Sequence, residues 1–191
     1  MNHEQETKYS KFISLILRHK PETIGIKLDE HGWADVKELL DGINYTGRNI
    51  TFSDLVYIVD HDNKQRYSFN EDKTKIRANQ GHSIKVDVEL EERIPQDILY
   101  HGTSLKSVDS IIKYGLKKMD RLYVHLSDNF NKAKAVGERH GTPIVFSINS
   151  KQMVYDGYIF YLSKNGVWLI DEVPPKYLTL VNSDPGIEKK V

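Results

Sequence analysis

The apolar pattern changes character across Asp87-Val88-Glu89-Leu90-Glu91-Glu92-Arg93-Ile94-Pro95, and that change governs what the chain can fold into. Before this stretch, apolar residues recur at helical spacing. After it, short runs rich in β-branched and aromatic residues dominate. The stretch itself carries a charge run and a proline, which suits a linker. A chain of 191 residues divided there gives two domains, 1–90 and 91–191, and an α+β fold.

In the first part, Phe12, Leu15 and Ile16 form one apolar face of a helix predicted over 8–19. Pro21 disfavours helical geometry at Lys20. Arg18 and His19 therefore fall in the last turn, where cations suit the helix dipole. Asp35 is the expected N-cap of a second helix over 35–40, with Val36, Leu39 and Leu40 inward. Thr51-Phe52-Ser53-Asp54 opens a third helix, 52–60, through a capping-box variant, with Leu55, Ile58 and Val59 inward. Residues 66–69 and 75–78 alternate around a turn-like segment and read as a hairpin. Three short helices and a β-ribbon make a winged helix-turn-helix, a shape that fixes no function by itself.

In the second part, Ile98-Leu99-Tyr100 reads as a strand. Leu105, Val108, Ile111 and Ile112 define a helix that Gly115 closes. A strand is expected over 122–126 and a helix over 129–140. Further strands are expected at 144–148, 159–162, 166–170 and 177–181.

Composition narrows the chemistry. Zero cysteines exclude disulfides, thiolate metal sites and a cysteine nucleophile. There is no HExxH and no histidine pair at ligand spacing, so no metal is expected. The dinucleotide GxGxxG, the phosphate-binding P-loop and the GxSxG elbow are all absent. No apolar run approaches the ~18 residues of a membrane span. The polar start, Met1 to Glu6, lacks the basic-then-apolar order of a signal peptide. These readings place the protein in the cytoplasm, away from membranes. No extra apolar helix stripe demands a partner copy, so a monomer is expected. Lys+Arg and Asp+Glu balance at 27 each. Residues 1–93 hold 14 basic against 17 acidic side chains, and 94–191 hold 13 against 10. Any nucleic-acid contact must then be a local cluster rather than a global field.

Histidine and arginine arrive in compact words: Leu17-Arg18-His19-Lys20-Pro21, Arg77-Ala78-Asn79-Gln80-Gly81-His82-Ser83, Tyr100-His101-Gly102-Thr103 and His125-Leu126-Ser127. Arginine offers a fixed cationic fork suited to phosphate, and histidine moves a proton near neutral pH. His101-Gly102-Thr103 follows a strand and precedes a helix, where bare N–H groups favour an anion. It could equally be a strand end with Gly102 making a turn. His125 and Ser127 share one face of a strand, lining either a cleft or a solvent edge.

Taken in order, these words closely resemble those of the KptA-type RNA 2′-phosphotransferase family, over about residues 8–182. The resemblance implies an N-terminal winged-helix RNA lobe and a C-terminal ADP-ribosyltransferase-like lobe that holds NAD+, consumed as co-substrate. It implies a two-step reaction. An internal RNA 2′-phosphate first displaces nicotinamide, and the ribose 2″-hydroxyl then attacks that phosphate. The products are 2′-OH RNA and ADP-ribose 1″,2″-cyclic phosphate. The family's Arg-His-Arg-Arg set falls on Arg18, His19, Arg66 and Arg121, with Arg77 a rival for Arg66. The cofactor-binding set falls on His101, Gly102, Thr103, Gly115, His125, Leu126 and Ser127. Tyr123 stands where many members carry another histidine. The late segment Asn165-Gly166-Val167-Trp168 offers no carboxylate of the kind used by protein-modifying relatives. Two rival readings remain at this level. One is an ADP-ribosyltransferase that caps terminal phosphates of RNA or DNA. The other is a winged-helix regulator that binds a nucleotide without consuming it.

Overall fold

The computed structural model describes residues 2–181 and the backbone of 188–189. The chain forms two compact units, Met1–Glu89 and Leu90–Val191, each with its own apolar core. Mixed α and β structure is present throughout, with every strand pair among the described residues antiparallel. No helix among them is long and apolar enough to cross a membrane.

The first unit contains α1 (His3–Arg18), β1 (Ala34–Asp35), α2 (Val36–Tyr45), α3 (Phe52–Asp60), β2 (Tyr67–Phe69) and β3 (Lys75–Ala78). α1 begins five residues before its expected start, because Asn2 and Gln5 form a reciprocal capping box there. It ends where Pro21 requires, with His19 as C-cap. Asp35 caps α2 through the Glu38 amide, as its position implied, but the helix runs on to Tyr45. Its inward face is Val36, Leu39 and Ile43, with Leu40 only partly buried. Thr51 and Asp54 form the capping box of α3. β3 pairs with β2 as the expected hairpin and, on its other edge, with β1, giving the order β1-β3-β2.

The charged stretch is less of a linker than its composition suggested. The Asp87 amide donates to Glu30 O at 2.9 Å, and Val88 is buried in the first unit. Glu91–Glu92 forms strand β4 of the second unit.

That unit continues with β5 (Ile98–Ser104), α4 (Val108–Tyr114), β6 (Leu116–Lys117), β7 (Val124–Leu126), α5 (Phe130–Gly137), β8 (Pro143–Asn149), α6 (Ser150–Tyr155), β9 (Tyr161–Leu162), β10 (Trp168–Ile170), β11 (Glu172–Val173), β12 (Leu178–Val181) and β13 (Glu188–Lys189). Its sheets are β13-β12-β8-β5, β4-β9-β10-β7 and β11-β6. A bridge between Tyr100 and Ser127 ties β5 to the end of β7.

The main departure from expectation is β5. His101, Gly102 and Thr103 do not turn from strand to helix. They pair in register with Phe146, Val145 and Ile144 of β8. The strand's period of two sets their directions. Tyr100 and Gly102 face α5, where the Tyr100 and Phe130 rings meet edge-on at 6.2 Å. His101 and Thr103 face the other way. A Cβ on Gly102 would lie 1.6 Å from the carbonyl oxygen of Ala133, so α5 packs directly on this glycine. Gly115 is the C-cap of α4, at φ 78°, and its Cβ position is filled by Val173 O at 2.2 Å. Both glycines are therefore explained by protein packing.

Gly102→Ala should lower stability by about 3 kcal/mol, or about 10 °C in melting temperature for a chain of this size, because backbone must shift to admit the methyl. A thermal melt tests this; an unchanged midpoint would contradict the packing of α5 on β5.

Candidate active site

In the first unit the site is built at the C-terminus of α1. A helix end leaves carbonyls without intrahelical partners. Here the Ser83 amide donates to Arg18 O at 3.0 Å, tying the 79–83 segment across the helix end. The Ser83 hydroxyl lies 2.9 Å from His19 Nδ1. Gly81, at φ 89°, lies flat against the Arg18 side chain, and its Cβ position is 3.6 Å from the guanidinium carbon. Asn79 extends the connection. Its amide donates to Arg66 O at 2.8 Å and its side chain to Gln65 O at 2.6 Å. One short segment therefore holds both the Arg18-His19 pair and the backbone that carries Arg66.

The two candidates for the third arginine differ sharply. Arg66 precedes β2 with its side chain 31% exposed, ion-paired to Asp62. The same carboxylate accepts from the Arg66 amide at 2.6 Å. Arg77 is 4% exposed. Its guanidinium stacks 4.4 Å from the Trp33 ring centroid and donates to His31 O at 3.3 Å and Glu89 Oε2 at 2.9 Å. Arg77 is thus committed to the interior, whereas Arg66 is held yet accessible.

His82 belongs to the same cluster, and the sequence reading gave it no role. It is 2% exposed, and its Nε2 has no hydrogen-bond partner among the described residues. Burial, and after it the charges of Arg18, His19 and Arg77, push its pKa down to about 4. His82 is therefore neutral at pH 7, which spares this cationic corner one more charge.

The second unit carries its own cluster. His101 on β5 donates from Nδ1 to His125 O at 3.0 Å, which fixes its tautomer because a carbonyl only accepts. Burial lowers the pKa of His101. The bond to the His125 carbonyl opposes that shift, and the Arg121 charge adds to it. Arg121, in the loop before β7, donates from Nη1 to His125 Nδ1 at 3.1 Å. The bridge between Tyr100 and Ser127, with both bonds at 2.8 Å, brings the second word beside the first. His101, His125, Ser127 and Arg121 thus meet in one neighbourhood. Leu126 alternates with them and is buried in the core. Gly102 and Gly115 face protein on their Cβ sides.

The folded state binds the His82 proton more weakly than the unfolded chain, where the ordinary value is 6.5. The resulting stability is complete above pH 6.5 and is lost as pH falls toward 4. The loss amounts to about 3 kcal/mol. Urea melts at pH 7 and pH 4.5 should differ by most of this amount, and His82→Gln should flatten the difference. An equal slope in the variant would contradict the burial of a neutral imidazole.

Comparison with known proteins adds an independent line. The profile of "RNA 2'-phosphotransferase, Tpt1 / KptA family" matches residues 4–172. A Fusobacterium nucleatum protein named "Probable RNA 2'-phosphotransferase" is 55% identical over 92% of this chain and 98% of its own length. Proteins of the same name from Flavobacterium johnsoniae and Trichormus variabilis are 52% and 48% identical, over 93% and 95% of this chain and 98% and 100% of their own lengths. With its Arg-His helix end and its histidine-lined β5, this chain belongs to the RNA 2′-phosphotransferase, Tpt1/KptA family.

Proposed function

We propose that the protein transfers an internal RNA 2′-phosphate to NAD+, leaving a 2′-hydroxyl on the RNA. In this reading the first unit is a winged-helix RNA lobe. The order of three helices and a β-ribbon, α1-α2-α3-β2-β3, supports it. The second unit is an ADP-ribosyltransferase-like lobe that takes NAD+. Family membership supports both assignments.

The single observation that carries the proposal is the Arg18-His19 pair, fixed at the end of α1 by Ser83 and Gly81. A phosphate monoester carries nearly two negative charges. Arg18 and Arg66 of the first unit supply cationic forks for it, and the family resemblance gives Arg121 a phosphate-binding role as well. Their charge also stabilises the charge that builds on phosphorus during transfer. His19 donates a hydrogen bond to a phosphoryl oxygen or moves a proton there. A phosphate dianion is itself nucleophilic, so no side chain needs to take a proton from it. The burial of Arg77 under Trp33 and its bond to Glu89 favour Arg66 over Arg77 for this role.

The second cluster suits a ribose- and amide-bearing ligand. His101, with Nδ1–H engaged, presents Nε2 as an acceptor for a hydroxyl. Thr103 shares its face, and Ser127 and His125 add donors and acceptors beside it. Gly102, Gly115 and Leu126 contribute backbone and packing only. Bound NAD+ supplies an anomeric carbon whose leaving group, nicotinamide, departs without needing a strong acid. The task of the protein is then to orient ribose and phosphate, which costs no titratable group.

An oligonucleotide with one internal 2′-phosphate, incubated with NAD+, should lose the phosphate and release nicotinamide in equal amounts. Consumption of neither would overturn the proposal. Use of a 5′-phosphorylated strand alone would replace it with terminal capping. Arg18→Ala and His19→Ala should each slow turnover by about a hundredfold, the cost of one lost electrostatic donor. Unchanged rates would remove that residue from the site.

A further inference from the structure

We propose that Ser83 is a positioning residue that sets the tautomer of His19, so that His19 Nε2 carries a hydrogen toward the phosphoryl group. The inference rests on the reading of His19 as a phosphate-contacting residue and adds a residue to which that reading assigned no role.

Three observations place Ser83. Its hydroxyl lies 2.9 Å from His19 Nδ1, across 64 positions of sequence. Its own amide is bonded to Arg18 O at 3.0 Å, so the hydroxyl is anchored to the residue next to the one it serves. The segment leading to it is held at Gly81 against Arg18 and at Asn79 by the Arg66 and Gln65 carbonyls. Ser83 is therefore held in place by the phosphate-binding residues themselves.

The chemistry of an imidazole does the rest. In the neutral ring one nitrogen donates and the other accepts, and the partner of one decides the state of the other. When the Ser83 hydroxyl donates to Nδ1, the hydrogen of the ring sits on Nε2. When the ring is protonated, Nδ1–H donates back into the same oxygen, and Nε2 keeps its hydrogen. In both of these states the ring offers Nε2–H, which a phosphoryl oxygen can only accept; a neutral ring that donated Nδ1–H to the Ser83 oxygen would turn a lone pair to the anion, and that is the state the proposal excludes. Without the hydroxyl, the neutral ring is released to place its hydrogen on Nδ1, and Nε2 then turns a lone pair toward an anion. Arg18, His82 and Arg77 crowd the same corner, so the hydrogen-bond pattern, rather than net charge, is what Ser83 controls.

The test combines spectroscopy and kinetics. Two-bond ¹H–¹⁵N spectra of the full chain with labelled histidine, recorded without substrate, should show His19 as the Nε2–H tautomer. Ser83→Ala should turn this into a mixture, and Ser83→Thr, which keeps the hydroxyl, should restore it. In turnover, Ser83→Ala should lower kcat about tenfold with the KM for the 2′-phosphorylated oligonucleotide within about twofold, the scale of one hydrogen bond lost in the transition state. Its pH–rate profile should shift relative to wild type, and Ser83→Thr should recover most of the rate. An Nδ1–H tautomer in the wild type, full activity in Ser83→Ala, or a threonine variant no better than alanine would overturn the proposal. A wild-type chain that consumes no 2′-phosphate would defeat the functional reading instead. The substrate-free tautomer would still decide the role of Ser83.

Discussion

The C-terminus of α1 is the constraint on which the first unit's chemistry depends. Pro21 stops the helix, and stopping it leaves Arg18 and His19 side by side beside unsatisfied carbonyls. The Arg18 charge is tolerable there because the negative end of the helix dipole faces it. The 79–83 segment then closes the end with the Ser83 amide. Satisfying a backbone carbonyl and fixing the Arg18-His19 pair are thus a single act. Behind it, Arg77 fills the space between Trp33 and Glu89, and His82 stays neutral. The interior carries the buried Arg77 guanidinium, bonded through Nη1 to His31 O and Glu89, and one imidazole that declines a proton. Arg66, with its side chain 31% exposed, keeps its charge within reach of solvent.

In the second unit the comparable device is the two-faced strand β5. One face is given to packing, with α5 resting on Gly102 so closely that a methyl group has no room. The other face carries His101 and Thr103. The bridge to Ser127 and the His101–His125 bond then hold a second strand end beside it. A site on a strand paired along its whole length to β8 is more rigid than one on a turn, because backbone hydrogen bonds fix each side chain's direction.

Much of this was legible in the chain. The caps at Asp35 and Thr51 and the stop at Pro21 are local signals, and the helices obey them. The hairpin is local too. The histidine and arginine words marked the residues that the structure gathers within each unit. What failed was non-local. Gly102 looked like a turn because a glycine's close neighbour, here Ala133, lies 31 positions away and leaves no trace in the sequence around it. Asp87 and Val88 looked like linker because charge runs usually are, yet Asp87 is bonded to Glu30 O and Val88 is buried beside Gly32. Nothing local distinguishes Arg77 from Arg66, because the ring that stacks on Arg77, Trp33, is distant in the sequence. The two-residue strands β1, β4, β6 and β11 are too short to carry a period, so only pairing reveals them.

In the proposed function, cationic groups positioned by the fold hold the 2′-phosphate as a dianion. The most direct measurement is a ³¹P titration of that phosphate, in a short oligonucleotide bound to the protein without NAD+. A free phosphate monoester takes up its second proton near pH ~6. The bound group should stay dianionic well below that pH, and Arg18→Ala should move its midpoint back toward the free value. A bound phosphate that titrates where the free one does would contradict the account.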